Sequence, residues 1–90
     1  MLKNMGYHQD ALVAYDHALT LDPNNTLALY NKGNVLVGLG YFQDALVVYD
    51  RALALNPNDA RTWYNRGVAL ENLGRHKEAK KAYDRANRLR

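Results

Sequence analysis

The ninety residues contain no cysteine and only two prolines. Without cysteine there are no disulfides, no thiolate zinc sites and no cysteine nucleophile, so packing alone must hold the fold. No apolar run approaches the ~20 residues of a bilayer span, and the longest, such as Ala11 to Tyr15, are far shorter. The start has no signal-peptide pattern, which leaves a soluble, cytoplasmic chain as the expectation. Charge of one sign is also scarce. The formal net charge is +3, too mild to announce nucleic acid by itself. It is unevenly placed, because residues 75–90 carry seven Lys or Arg against Glu78 and Asp84, and residues 1–74 are slightly acidic. A His-Glu-x-x-His pattern is missing, and Gly33 to Gly40 has neither the spacing nor the Lys of a phosphate loop. The acidic residues are spread along the chain rather than paired. His8, His17 and His76 read as structural. No catalytic residue, metal or cofactor is expected.

What is present is a repeat. Displacing the chain by 34 residues superposes Tyr7-His8-Gln9-Asp10-Ala11-Leu12-Val13 on Tyr41-Phe42-Gln43-Asp44-Ala45-Leu46-Val47, and 19 of 34 positions agree between residues 7–40 and 41–74. A third copy continues with Ala79, Tyr83, Asp84, Arg85 and Ala86. Within a copy, Ala45, Leu46, Tyr49, Ala52, Leu53 and Leu55 mostly fall three or four apart, which predicts a helix over 42–55 with one buried stripe. Leu29, Leu36 and Leu39 predict a preceding helix over 26–39, with Gly33 where a facing helix could come close. Gly40 and Gly74 suit turns within helix pairs. Asp22-Pro23-Asn24-Asn25 and Asn56-Pro57-Asn58-Asp59 separate the pairs and offer Asn25 and Asp59 as N-caps. Asp10, Asp44 and Glu78 are placed for first helical turns, where a carboxylate suits the helix dipole.

These residues resemble the tetratricopeptide repeat family, whose 34-residue units are antiparallel helix–turn–helix pairs. The third copy carries the pattern as Trp63, Gly67, Leu70, Gly74, Ala79, Tyr83 and Ala86. The second carries it as Tyr30, Gly33, Leu36, Gly40, Phe42, Ala45, Tyr49, Ala52 and Pro57. Leu29 stands where Trp63 does, and His8 and His76 replace the aromatic represented by Phe42. The resemblance implies an all-α, right-handed solenoid of about two and a half repeats in a single domain. Residues 1–25 would be an incomplete first repeat, 26–59 a complete one and 60–90 a nearly complete C-terminal one. In that register Met1 to Met5 are the remnant of a first helix, and helix 8–21 lacks its partner, as in a chain cut from a longer array. Self-association through the uncovered face is one expected remedy. Lys80 and Asn87 replace Leu46 and Leu53, as suits a solvent-facing terminal helix.

The family's concave face maps onto Leu27, Tyr30, Asn31, Asn34 and Val37, then Arg61, Tyr64, Asn65, Val68 and Glu71, with Lys3 from the remnant. Asn31 and Asn65 resemble an asparagine ladder that holds an extended peptide, since an amide both donates to and accepts from a backbone of any sequence. Tyr30 and Tyr64 would add contact area at little entropic cost. The implied peptide-binding set is Tyr30, Asn31, Asn34, Arg61, Tyr64 and Asn65, in a non-catalytic scaffold whose partner is a protein or peptide. Arg61 resembles one basic member of the clamp that holds acidic chaperone tails, but Asn65 is neutral at another of its positions. That clamp is not expected. The competing reading is polyanion binding by helix 75–90 through Lys77, Lys80, Lys81 and Arg88, with RNA, anionic lipid or acidic peptide as the ligand. Against it, Lys80–Asp84, Asp84–Arg88 and Glu78–Lys81 are spaced to pair within the helix, and Tyr83 is the one aromatic nearby. Nucleic acid is therefore not the expected partner. A repeat stack with no ligand of its own is the remaining alternative.

Overall fold

The computed structural model describes residues 2–90, with side chains from Gly6 onward. Five α-helices follow one another: α1 (Leu2–Leu21), α2 (Thr26–Gly38), α3 (Phe42–Leu55), α4 (Ala60–Asn72) and α5 (His76–Leu89). Each packs on the next in sequence.

The boundaries follow from local chemistry. The Asn25 side chain accepts from the Ala28 amide at 3.0 Å and Asp59 from the Arg61 amide at 3.1 Å, satisfying donors that a helix start leaves open. At the other ends, Gly40 and Gly74 take positive φ of 83° and 80°. This left-handed step lets Tyr41 donate back to the Leu36 carbonyl at 2.8 Å and Arg75 to Leu70 at 2.9 Å, closing the same turn in both pairs. Asp44 and Glu78 lie in first turns as expected.

The first repeat departs from expectation. Residues 2–21 form one uninterrupted helix through Gly6, so no turn separates residues 2–5 from a helix over 8–21, while Met1 lies outside the described residues. Asp10 accordingly lies in mid-helix rather than in a first turn. The physical reason is that a glycine turn is maintained by the two helices it folds together. A helix of about one turn is unstable by itself, whereas extending an existing helix gains one hydrogen bond per residue fixed.

The core lies between α2, α3, α4 and α5. Tyr49 is wholly buried, its ring against Gly33, where no Cβ could be accommodated. Tyr83 repeats the arrangement over Gly67, where an added Cβ would lie 2.7 Å from Cε1. Leu46 joins Ala69, Leu70, Ala79 and Ala82 in one cluster, and Leu36, Ala45 and Tyr49 form the other, with Leu12 of α1 against its edge. Lys80 and Asn87, at the positions of Leu46 and Leu53, are exposed.

Candidate functional site

The first helices of the complete pairs, α2 and α4, set the site. Residues three or four apart on a helix share a face, which brings Tyr30 and Asn34 of α2 beside Arg61, Tyr64 and Asn65 of α4. The amide of Asn65 donates to Asn34 Oδ1 at 2.9 Å and to the Tyr30 hydroxyl at 3.1 Å. Asn34 Oδ1 also accepts from the Tyr49 hydroxyl at 2.5 Å, so the deepest tyrosine of the core anchors the network from below. Burial, aided by the neighbouring Tyr30, keeps the Tyr49 phenol neutral well above the usual tyrosine range. Both Asn65 donors are used inside the protein, which leaves its carbonyl oxygen to accept from outside.

Three depressions run along this face. One of about 230 Å³ is lined by Asn34, Val37, Tyr49, Asn65 and Val68. It shares Asn65 with one of about 410 Å³ lined by Tyr30, Ala60, Arg61, Tyr64, Asn65 and Arg90. That in turn shares Tyr64 and Arg90 with a third of about 370 Å³, which adds Glu71 and Tyr83. The Arg61 guanidinium lies 4.6 Å from the centre of the Tyr30 ring and pairs with Asp59 at 3.3 Å. Asp59 itself is held below the usual carboxylate range: its partial burial opposes this, but hydrogen bonds from Arg61 and Thr62 prevail. At the far end Tyr64 and Tyr83 meet with ring centres 5.1 Å apart, and the Tyr83 hydroxyl donates to Glu71 at 2.9 Å. Burial and that bond push the Tyr83 phenol up to about 12.

Tyr30, Asn34, Arg61, Tyr64 and Asn65 are thus brought together. Asn31 is half-buried, makes no side-chain hydrogen bond among the described residues and lines none of the three depressions, and Asn34 is the residue that meets Asn65. The Lys3 side chain lies outside those described. Sequence reasoning missed Tyr49 and Tyr83 as floor and end wall. Both reach the face from second helices, and the signal was the glycine opposite each, which lets a large ring pass close beside α2 or α4.

The basic helix differs from expectation in two respects. Among the described residues none of the pairs Lys80–Asp84, Asp84–Arg88 or Glu78–Lys81 forms, and Glu78 pairs instead with Arg75 at 2.8 Å. The aromatic beside the cations is Trp63 of α4 rather than Tyr83, and Lys81 and Arg88 line a groove next to it while Lys77 and Lys80 stand outside. Among the described residues no group of three His, Asp or Glu could hold a metal ion, and no helix is long and apolar enough to cross a membrane.

Two tetratricopeptide repeat models match the chain, over residues 30–90 and 1–25. The chain belongs to the tetratricopeptide repeat family, and its helix pairs form a right-handed solenoid of the kind that serves as a protein-interaction scaffold. Among solved structures, MamA from Desulfovibrio magneticus RS-1 is 34% identical, with a TM-score of 0.86 over 98% of this chain and 50% of that one. The first repeat domain of Spaghetti (RPAP3), bound to the HSP90 peptide SRMEEVD, is 30% identical, with a TM-score of 0.90 over 93% of this chain and 67% of that one. The second repeat domain of the same protein, at 22% identity and a TM-score of 0.91, shares the fold. The chain spans about half the length of the MamA chains it matches. A comparison with curated proteins found no match.

Proposed function

We propose that the chain is a non-catalytic scaffold that holds an extended segment of another protein along the face of α2 and α4. The observation that carries this reading is Asn65. Its amide is locked by Tyr30 and Asn34, so its free carbonyl oxygen is already aimed and can accept from a peptide N–H without ordering a side chain at the moment of binding. Tyr64 and Arg61 line the same depression as Asn65, one offering a flat amphipathic surface and the other a cation. The likeness to the RPAP3 domain with a peptide bound supports the same use of the fold here. Sequence recognition would rest on side-chain contacts at the two ends, Val37 and Val68 at one and Glu71 with Tyr83 at the other.

An array of overlapping heptapeptides, with the best binder then measured by fluorescence anisotropy, tests the reading. Tyr64→Ala and Asn65→Ala are each expected to weaken binding by about tenfold or more while helicity is kept. Tyr64 is the cleaner probe because it is exposed and its hydroxyl makes no hydrogen bond among the described residues. Binding unchanged in both variants, or NMR shifts confined to α3, would overturn the proposal.

A further inference from the structure

The repeat provides an internal control for one groove on the opposite side of α4. Between α2 and α3 it is lined by Leu29, Lys32, Val47, Val48 and Arg51, with α1 alongside. One repeat later, between α4 and α5, a groove of about 290 Å³ is lined by Trp63, Arg66, Lys81, Asp84, Arg85 and Arg88. The framework is the same in both places, since Asp16 pairs with Lys32 at 2.6 Å and Asp50 with Arg66 at 2.6 Å, each bridging one helix pair to the next. The lining has changed. Trp63 stands in place of Leu29, Lys81 in place of Val47 and Arg88 in place of Ala54, so a groove with two cations, Lys32 and Arg51, beside the carboxylate of Asp16 has become one with four cations around an aromatic ring.

The cations of this groove outnumber the one carboxylate of its lining, Asp84. Lys81, Arg85 and Arg88 follow one another at four and three residues, on one face of α5, about 6 and 4.5 Å apart along its axis. None forms an ion pair among the described residues, and like charges at that spacing are mildly unfavourable to the helix. Trp63 is fixed by its indole N–H, which donates to the Pro57 carbonyl at 2.8 Å. The guanidiniums of Arg85 and Arg66 lie 5.7 and 5.9 Å from its ring centre. A guanidinium resting on an aromatic ring keeps its N–H edge available to a carboxylate.

We propose that this groove binds an acidic segment of a partner polypeptide, whose carboxylates are received by Arg85, Arg88 and Lys81 with Trp63 holding Arg85 in place. A carboxylate ligand is favoured over nucleic acid because the two guanidiniums occupy positions over the indole that a stacking base would need. The site is separate from the concave face: Trp63 lies two residues, about 200° around the helix, from Asn65, as Arg66 does from Tyr64, and this groove shares no lining residue with the three depressions of that face. It stands or falls independently of peptide binding there.

Trp63 is the single tryptophan of the chain, so its emission reports this groove alone. Titration with hexaglutamate is expected to give a saturable change in emission that weakens as salt rises. In Arg85→Gln/Arg88→Gln the affinity is expected to fall by about tenfold or more, and in Asn65→Ala to be unchanged. Circular dichroism checks that the double variant is folded, and Lys81→Gln, with a smaller loss expected, serves if it is not. Absence of an emission change, or equal affinity in the folded arginine variant, overturns the proposal. Tighter binding of an oligouridylate of equal charge also overturns it and assigns the groove to nucleic acid.

Discussion

Helices α1 and α3 carry the same five residues at the same spacing and end in different environments. Ala45, Leu46, Tyr49, Ala52 and Leu53 of α3 are all buried. Ala11, Leu12, Tyr15, Ala18 and Leu19 of α1 are all only half-buried, and Tyr7 and Leu21 on the same helix are 78% and 75% exposed. The difference lies in what covers each stripe: α3 is enclosed by α2 on one side and α4 on the other, whereas among the described residues α1 packs chiefly on α2. An apolar stripe therefore states a demand for burial, and the neighbouring repeats decide whether it is met.

The largest test of this comparison removes the central tyrosine from each helix. Tyr49→Ala is expected to cost about 3–5 kcal/mol, as for other large buried side chains, and Tyr15→Ala less than half of that, by urea denaturation followed through helicity. Equal costs would break the comparison. A Tyr15→Ala penalty that grows with protein concentration would sharpen it, because a second copy of the chain would then be protecting α1.

Glycines give a smaller and opposite pair of effects. Gly67→Ala drives a Cβ against the Tyr83 ring and is expected to cost about 1–3 kcal/mol. Gly6→Ala meets nothing within 4 Å and lies inside α1, so it is expected to stabilise by about 0.5–1 kcal/mol. A destabilising Gly6→Ala would mean that residue 6 makes the left-handed turn of Gly40 and Gly74 after all.

The smallest effect compares the two glycine-seated tyrosines in alkali. Each has its folded pKa raised above the ordinary value near 10, so the stability each contributes is complete below that pH and is lost as pH rises through the folded value. Tyr83 should ionise near pH 12 and Tyr49 later still. Phenolate absorbance checks the order, with Tyr83→Phe expected to remove the earlier of these two steps.

The 34-residue period, the turns at Gly40 and Gly74, the caps at Asn25 and Asp59 and the bounds of α3 were legible in the sequence, because hydrogen bonding and backbone sterics within a few residues decide them. The candidate site was legible in part. Tyr30, Arg61, Tyr64 and Asn65 share the register of one face, but their partners depend on distances between helices that spacing does not contain. Asn34 meets Asn65 across 31 residues, Tyr49 reaches that pair from below, and Glu78 turns to Arg75 instead of Lys81. Trp63 could be assigned to a repeat position, while its place beside Arg85 needed α4 and α5 docked together. Only the tertiary structure decided that residues 2–21 run on as one helix. A turn there needed packing on both of its sides, and packing is a property of the assembled repeats.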